Sequence, residues 1–202
     1  CNCAHGWARE NAGGASELRA FVLPKGEEVG AKYRDKFGVD NPNLRVDIAT
    51  HSMGGLVCRC LLQNPAVADA QTRACVDRLF TYGTPHNGIE LGGMNWPTRL
   101  GIWDVRNFHR AEMARYLGLS PDSVRVDDLS AALPPQRVCC LVGTNHQDYS
   151  LARLAVGAMS DGLVKLDNAS VAGAPRVFVH QSHSGHFGMV NSEAGYQNLS
   201  RF

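Results

Sequence analysis

The chain is 202 residues long, 44% hydrophobic and 19% charged, with a net charge of +1. That length and composition suit one soluble globular domain with a real core. With no long basic or acidic run, the charge excludes an electrostatic case for nucleic acid or an anionic membrane, and no apolar run approaches the roughly 20 residues of a spanning helix.

Residues 1–15 are small and polar, a loop by composition, and contain His5-Gly6-Trp7. No signal peptide is visible, and the start at Cys1 is compatible with a removed leader. Leu18 to Leu23 reads as a strand closed by Pro24-Lys25-Gly26. Glu27 to Phe37 reads as a helix: Val29, Tyr33 and Phe37 fall four apart, acids occupy the first turn, and Gly38 is a natural stop. Asp40-Asn41-Pro42-Asn43 is a turn. Leu44, Val46 and Ile48 alternate with other residues and predict a strand. A tight turn over Thr50-His51-Ser52-Met53-Gly54-Gly55 follows, and from Leu56 the spacing of Leu56, Val57, Cys60 and Leu61 predicts a helix. A serine at a sharp strand-to-helix turn is a nucleophile elbow. Crowding there calls for small neighbours, which Gly54 and Gly55 supply, and the helix aims its first amides at developing negative charge. The first small position is Thr50, so a strict G-x-S-x-G pattern is broken.

Asp77 to Tyr82 is the next strand, ending in Gly83-Thr84-Pro85-His86-Asn87-Gly88. Residues 89–135 do not read as sheet. They carry Trp96, Trp103, Phe108, Tyr116 and Leu117, and Asn107 to Leu117 fits an amphipathic helix ended by Leu119-Ser120-Pro121. Arg137 to Val142 is an apolar, central strand. Met159-Ser160-Asp161-Gly162-Leu163-Val164 is a turn holding an acid. Arg176 to His180 is the last strand. The loop after it holds His183 and His186, and a terminal helix follows, capped by Ser192 or Asn191 with Glu193 in its first turn. Strands alternating with helices give a mostly parallel sheet flanked by helices.

Thr-His-Ser-Met-Gly-Gly-Leu-Val resembles the nucleophile turn of α/β-hydrolase lipases and esterases, nearest to small bacterial lipases and the lecithin–cholesterol acyltransferase-like group. The resemblance runs from about Leu44 to Phe202 and is patchy before that. It implies a single α/β-hydrolase domain over residues 1–202, with a lid or cap insertion at about 89–135 and an amino-terminal part that is minimal or trimmed. A second packing layer that never opens is an equal reading of 89–135. The Gly-Thr-Pro-His-x-Gly stretch resembles a loop that shapes the site wall in such enzymes, with His86 structural. The Asp-Gly-Leu-Val turn resembles the one holding the triad acid, here Asp161, with Asp148 and Asp167 as solvated alternatives. His-Phe-Gly-Met-Val-Asn-Ser resembles the stretch carrying the base, which favours His186, with His183 the competitor. The oxyanion hole would be the amides of Met53 and, after His5-Gly6, of Trp7. His51, Trp96 and Trp103 are expected to contact substrate.

The order Ser52, Asp161, histidine is that of α/β-hydrolases. The expected function is hydrolysis of carboxylic esters through an acyl-enzyme, without metal or organic cofactor. The expected partners are an ester or lipid substrate and, at an interface, lipid aggregates. A non-catalytic protein of this fold binding an apolar ligand, and an acyltransferase, are the alternatives. The spacing His180-x-x-His183-x-x-His186 lacks an accompanying acid or cysteine pattern and does not point to a metal. Seven cysteines, an odd number without C-x-x-C spacing, leave secreted and cytoplasmic locations open, and Cys139-Cys140 reads as buried packing.

Overall fold

The computed structural model describes residues 11–41, 43–89, 108–146 and 159–202. Helix α1 (Asn11–Phe37) precedes strand β1 (Val46–His51), which leads into α2 (Met53–Gln63). A short α3 (Ala70–Ala74), β2 (Val76–Tyr82), α4 (Arg110–Leu117), β3 (Val138–Gly143), β4 (Arg176–Val179) and α5 (Glu193–Arg201) complete the order. Among the described residues four strands form one parallel sheet in the order β1-β2-β3-β4. Register aligns the carboxyl ends: His51 lies beside Tyr82, Tyr82 beside Leu141, and Gly143 beside Val179. The turns after all four strands therefore open on one edge of the sheet, where ligands bind in open parallel sheets.

Period-two alternation divides the strands between two layers. Leu79, Val138, Cys140 and Val142 face the larger core with Leu56, Leu61, Met113, Leu117 and Leu129. Phe80, Tyr82, Cys139 and Leu141 face the other side, where Met189, Leu199 and Phe202 cover them. Cys139 and Cys140 are free and buried, one in each layer.

The expected strand over Leu18–Leu23 is corrected. These residues are part of α1, which runs unbroken through Pro24. Leu, Arg and Ala are strong helix formers, and Val22 is the one β-branched residue in the stretch. Ala15 and Leu18, three apart, pack into the larger core, so the burial is helical in period. Gly38 ends α1 with φ 70°.

Residues 108–135 contribute side chains to the larger core. Met113, Ala114, Leu117, Val126, Leu129 and Leu133 all enter the larger core. Asn64 Nδ2 and the Cys60 thiol both donate to the Tyr116 carbonyl, at 3.0 Å each, tying α2 to α4. The helix ends at Leu117, as expected, and its cap is Gly118, whose φ of 71° is left-handed, just ahead of Leu119-Ser120-Pro121. Residues 90–107, the rest of the expected lid with Trp96 and Trp103, lie outside the described residues.

Candidate active site

Ser52 sits between the last residue of β1 and the first of α2, with φ 54° and ψ −127°. Among the described residues it is the one non-glycine with positive φ. Such a conformation costs of order 1–3 kcal/mol and persists only where the surroundings over-determine it. Here its N–H donates to the Tyr82 carbonyl at 2.8 Å. Its own carbonyl accepts from Gly55 N–H at 3.1 Å and from the Thr84 hydroxyl at 2.8 Å.

The two glycines of the turn have different work. A Cβ on Gly55 would lie 2.2 Å from Thr84 Oγ1, so the helix packs onto the β2 turn only because this residue has no side chain. A Cβ on Gly54 would meet Thr50 Cβ at 3.5 Å, an ordinary contact. Thr50 thus fills room that Gly54 leaves, which accommodates the departure from G-x-S-x-G.

His183 joins the other two groups. Its Nε2 lies 2.9 Å from Ser52 Oγ and its Nδ1 2.8 Å from Asp161 Oδ2. A carboxylate accepts only, so Nδ1 carries the proton and Nε2 keeps the lone pair that the serine hydroxyl donates to. The second carboxylate oxygen, Oδ1, accepts from Leu163 N–H at 3.0 Å and Val164 N–H at 2.8 Å. The backbone N–H of His183 donates to the Asp161 carbonyl at 2.9 Å. All three residues are nearly buried: Ser52 is 4% exposed, His183 2% and Asp161 1%. Gly83, with φ 54°, clears the space beside them, because a Cβ there would lie 3.0 Å from both Asp161 Oδ2 and His183 Nδ1.

The preference for His186 is corrected. Ser182 and Gly188 pair across the loop, with Ser182 N–H donating to the Phe187 carbonyl and Met189 N–H to the Ser182 carbonyl. This pairing turns 184–187 outward and leaves His183 inside. His186 is exposed, its ring edge-on to Phe187 at 4.8 Å. His180 lies beside Thr144, so the three histidines do not converge. Among the described residues no three His, Cys, Asp or Glu side chains gather as a metal site would require.

The remaining candidates separate cleanly. Met53 supplies the first amide of α2, one of those without an intrahelical acceptor. His51 is half-buried, its Nε2 2.9 Å from the His183 carbonyl. Asp167 is exposed. Trp7, Trp96, Trp103 and Asp148 lie outside the described residues.

His86 is wholly buried and bonded through Nε2 to Thr81 Oγ1 at 3.1 Å. Burial first, then the nearby Arg59, lowers its pKa well below the usual histidine value. Arg59 itself carries no expectation from the motifs, yet it is a fully buried residue of α2. Its guanidinium donates to the carbonyls of His86, Val126 and Asp128, and Nε to Gln63. Burial lowers its pKa to about 10, which leaves it protonated at neutral pH. A lone charge in the apolar run Leu56-Val57-Cys58-Arg59-Cys60-Leu61-Leu62 was the available signal.

Residues 33–132 match a family described as a domain of unknown function, DUF7379, a span that includes Ser52 and ends before Asp161 and His183. No curated protein matches the sequence. The crystal structure of the mature form of Bacillus licheniformis lipase BlEst2 aligns with TM-score 0.61 and 17% identity, over 96% of this chain and 74% of that one. Its propeptide form aligns with TM-score 0.58 and 17% identity, over 95% of this chain and 41% of that one. The likeness establishes the fold: the chain has the α/β-hydrolase fold, with a triad-like Ser52–His183–Asp161 arrangement at the carboxyl edge of its sheet. Among the described residues no helix is long and apolar enough to cross a membrane.

Proposed function

We propose that the protein is a serine hydrolase of carboxylic esters, acting as a single α/β-hydrolase domain. The observation that carries this is His183 bridging Ser52 and Asp161 with a hydrogen bond at each ring nitrogen. Ser52 Oγ attacks the ester carbonyl carbon while its proton passes to His183 Nε2. Asp161 stabilises the imidazolium, and the Met53 amide stabilises the oxyanion. The imidazolium then protonates the departing alkoxide, leaving the acyl group on Ser52. A water, deprotonated by His183, attacks that acyl group and releases the acid.

A lipid or other ester substrate, met at an aggregate surface or in solution, fits this chemistry, and a solved structure of the same fold is of a lipase. The test is labelling by a fluorophosphonate, followed by a chain-length series of p-nitrophenyl esters with and without added alcohol. Labelling that disappears in Ser52→Ala and turnover to free acid are expected. An unlabelled wild-type protein would overturn the reading in favour of a ligand binder, and esters formed with the alcohol in preference to free acid would make it a transferase.

A further inference from the structure

His183 is held at four points. Its two ring nitrogens meet Ser52 and Asp161, and its N–H meets the Asp161 carbonyl. The fourth point is its carbonyl, 2.9 Å from Nε2 of His51. A carbonyl only accepts, so His51 must carry its proton on Nε2. The two rings lie 4.9 Å apart, tilted by 42°. We propose that His51 is a positioning residue that locks the loop carrying His183 to the end of β1, so that the base meets Ser52 at reactive distance.

The placement gives this a mechanical sense. His51 and Ser52 are adjacent in the chain, and the strained elbow fixes both. Tying the His183 backbone to His51 sets base and nucleophile from one rigid element, although the two belong to loops 131 residues apart in sequence. Without the tie, the His183 carbonyl loses its bond to the element that carries Ser52, and an error of about 1 Å at a reacting pair costs roughly 10²-fold in rate. The ring must also stay uncharged, since a cation beside His183 would oppose its conversion to imidazolium. Burial and the charge of His183 both lower the pKa of His51, which keeps it neutral; the Asp161 charge and the bond to the His183 carbonyl act the other way and are weaker.

The inference rests on the serine-hydrolase reading, and its test is arranged to fail separately. His51→Leu removes the donor. His51→Asn keeps an amide but is too short to place it at the Nε2 position, and His51→Gln restores it there. The expected result is kcat down about 10- to 100-fold in the Leu and Asn variants with KM within about threefold, fluorophosphonate labelling slowed in parallel, and most of the rate restored in the Gln variant. The second readout needs no activity: the downfield proton resonance of the His183 Nδ1–H, strong in the wild type and the Gln variant, should broaden or shift in the other two. Unchanged kcat and an unchanged resonance in Leu and Asn would overturn the proposal. So would a uniform fall in kcat across all three variants. If the wild type neither hydrolyses esters nor takes the label, the hydrolase reading falls, and the proton resonance still decides the part played by His51.

Discussion

Two imidazoles lie buried on turns at the carboxyl edge of the same sheet. His183 has a carboxylate at one nitrogen and a hydroxyl at the other. His86 has a hydroxyl at one nitrogen and, among the described residues, no partner at the other, with a guanidinium bonded to its carbonyl. Burial is common to both, so burial is not what makes a base. An imidazole becomes one when a carboxylate compensates the charge it must take up; without that, and with a cation nearby, it is held neutral and serves as packing. The elements around each follow suit. Asp161 is oriented by two backbone amides for one partner. Arg59 is spent on three backbone carbonyls and pins α2 to the β2 turn and to the 126–128 segment.

The sharpest way to break this contrast is on activity. His183→Ala should lower kcat by about 10³-fold or more, near the loss for Ser52→Ala, because the serine loses its activating base. His86→Gln should retain activity to the extent that it stays folded. Esterase turnover and melting curves on the same preparations separate the two. A His86 variant as inactive as His183→Ala, yet fully folded, would refute the division of roles.

Next in size is the arginine beside His86. Replacing a buried ion pair by apolar groups is often harmless when both partners are replaced. At Arg59 the partners are main-chain carbonyls, which no side-chain change removes. Arg59→Leu leaves the carbonyls of His86, Val126 and Asp128 without this donor, at about 1–3 kcal/mol for each that finds no other. A net destabilisation of about 3 kcal/mol in urea unfolding is expected, and a value under about 1 kcal/mol would show that water replaces the guanidinium.

A smaller effect reads the charge state of His86 directly. Its folded pKa is depressed, so below its ordinary value of about 6.5 the unfolded chain binds a proton that the native chain refuses. The stability associated with neutral His86 is thus complete above about pH 6.5 and is lost as the pH falls toward the depressed folded value. One such proton tilts the stability curve by up to about 1.4 kcal/mol per pH unit. His51, also depressed, adds in the same direction. His86→Gln should therefore show a shallower fall in stability between pH 6.5 and 5 than the wild type, measured by denaturant midpoints, and equal slopes would mean that His86 is protonated in the native state.

These two histidines also mark how far the sequence is legible. The elbow could be read because everything it needs is within a few residues: an alternating strand, a serine, two glycines and an apolar helix. β2, β3 and β4 were equally local, as apolar runs bounded by turns. Asp161 was carried by its own turn, whose amides at Leu163 and Val164 bind its carboxylate. What failed depends on distant contacts. α1 is helical where Leu18–Leu23 suggested a strand, because Ala15 and Leu18 meet the core at helical spacing. Arg59 acts through carbonyls 27, 67 and 69 residues away, which no window around it contains. The choice between His183 and His186 was a third case, since spacing puts both on the right loop and the contacts that hold His183 inside are with Ser52 and Asp161, 131 and 22 residues away.

That choice supplies the smallest expected effect. His186 stands at the loop tip, exposed, with Phe187 as its ring neighbour. An exposed edge-on aromatic contact of this kind is worth about 0.5–1.5 kcal/mol at most, and part of it returns as water replaces the ring. The loop's shape does not rest on the contact. It is set by the backbone bonds of Ser182 to Phe187 and Met189, by Ser182 Oγ donating to the Ser184 carbonyl at 3.1 Å, and by Gly188, where a Cβ would lie 2.8 Å from Ser184 C. His186→Ala removes none of these, so kcat on a soluble short-chain ester should change by no more than about threefold and the melting temperature by a few degrees. Measured beside His183→Ala, the pair isolates position from residue type: the same imidazole, three residues along the same loop, deleted once where it bridges Ser52 and Asp161 and once where it does not. A loss for His186→Ala approaching that of His183→Ala, with the fold intact, would mean that the loop turns over when substrate binds, exchanging the inner histidine for the outer one.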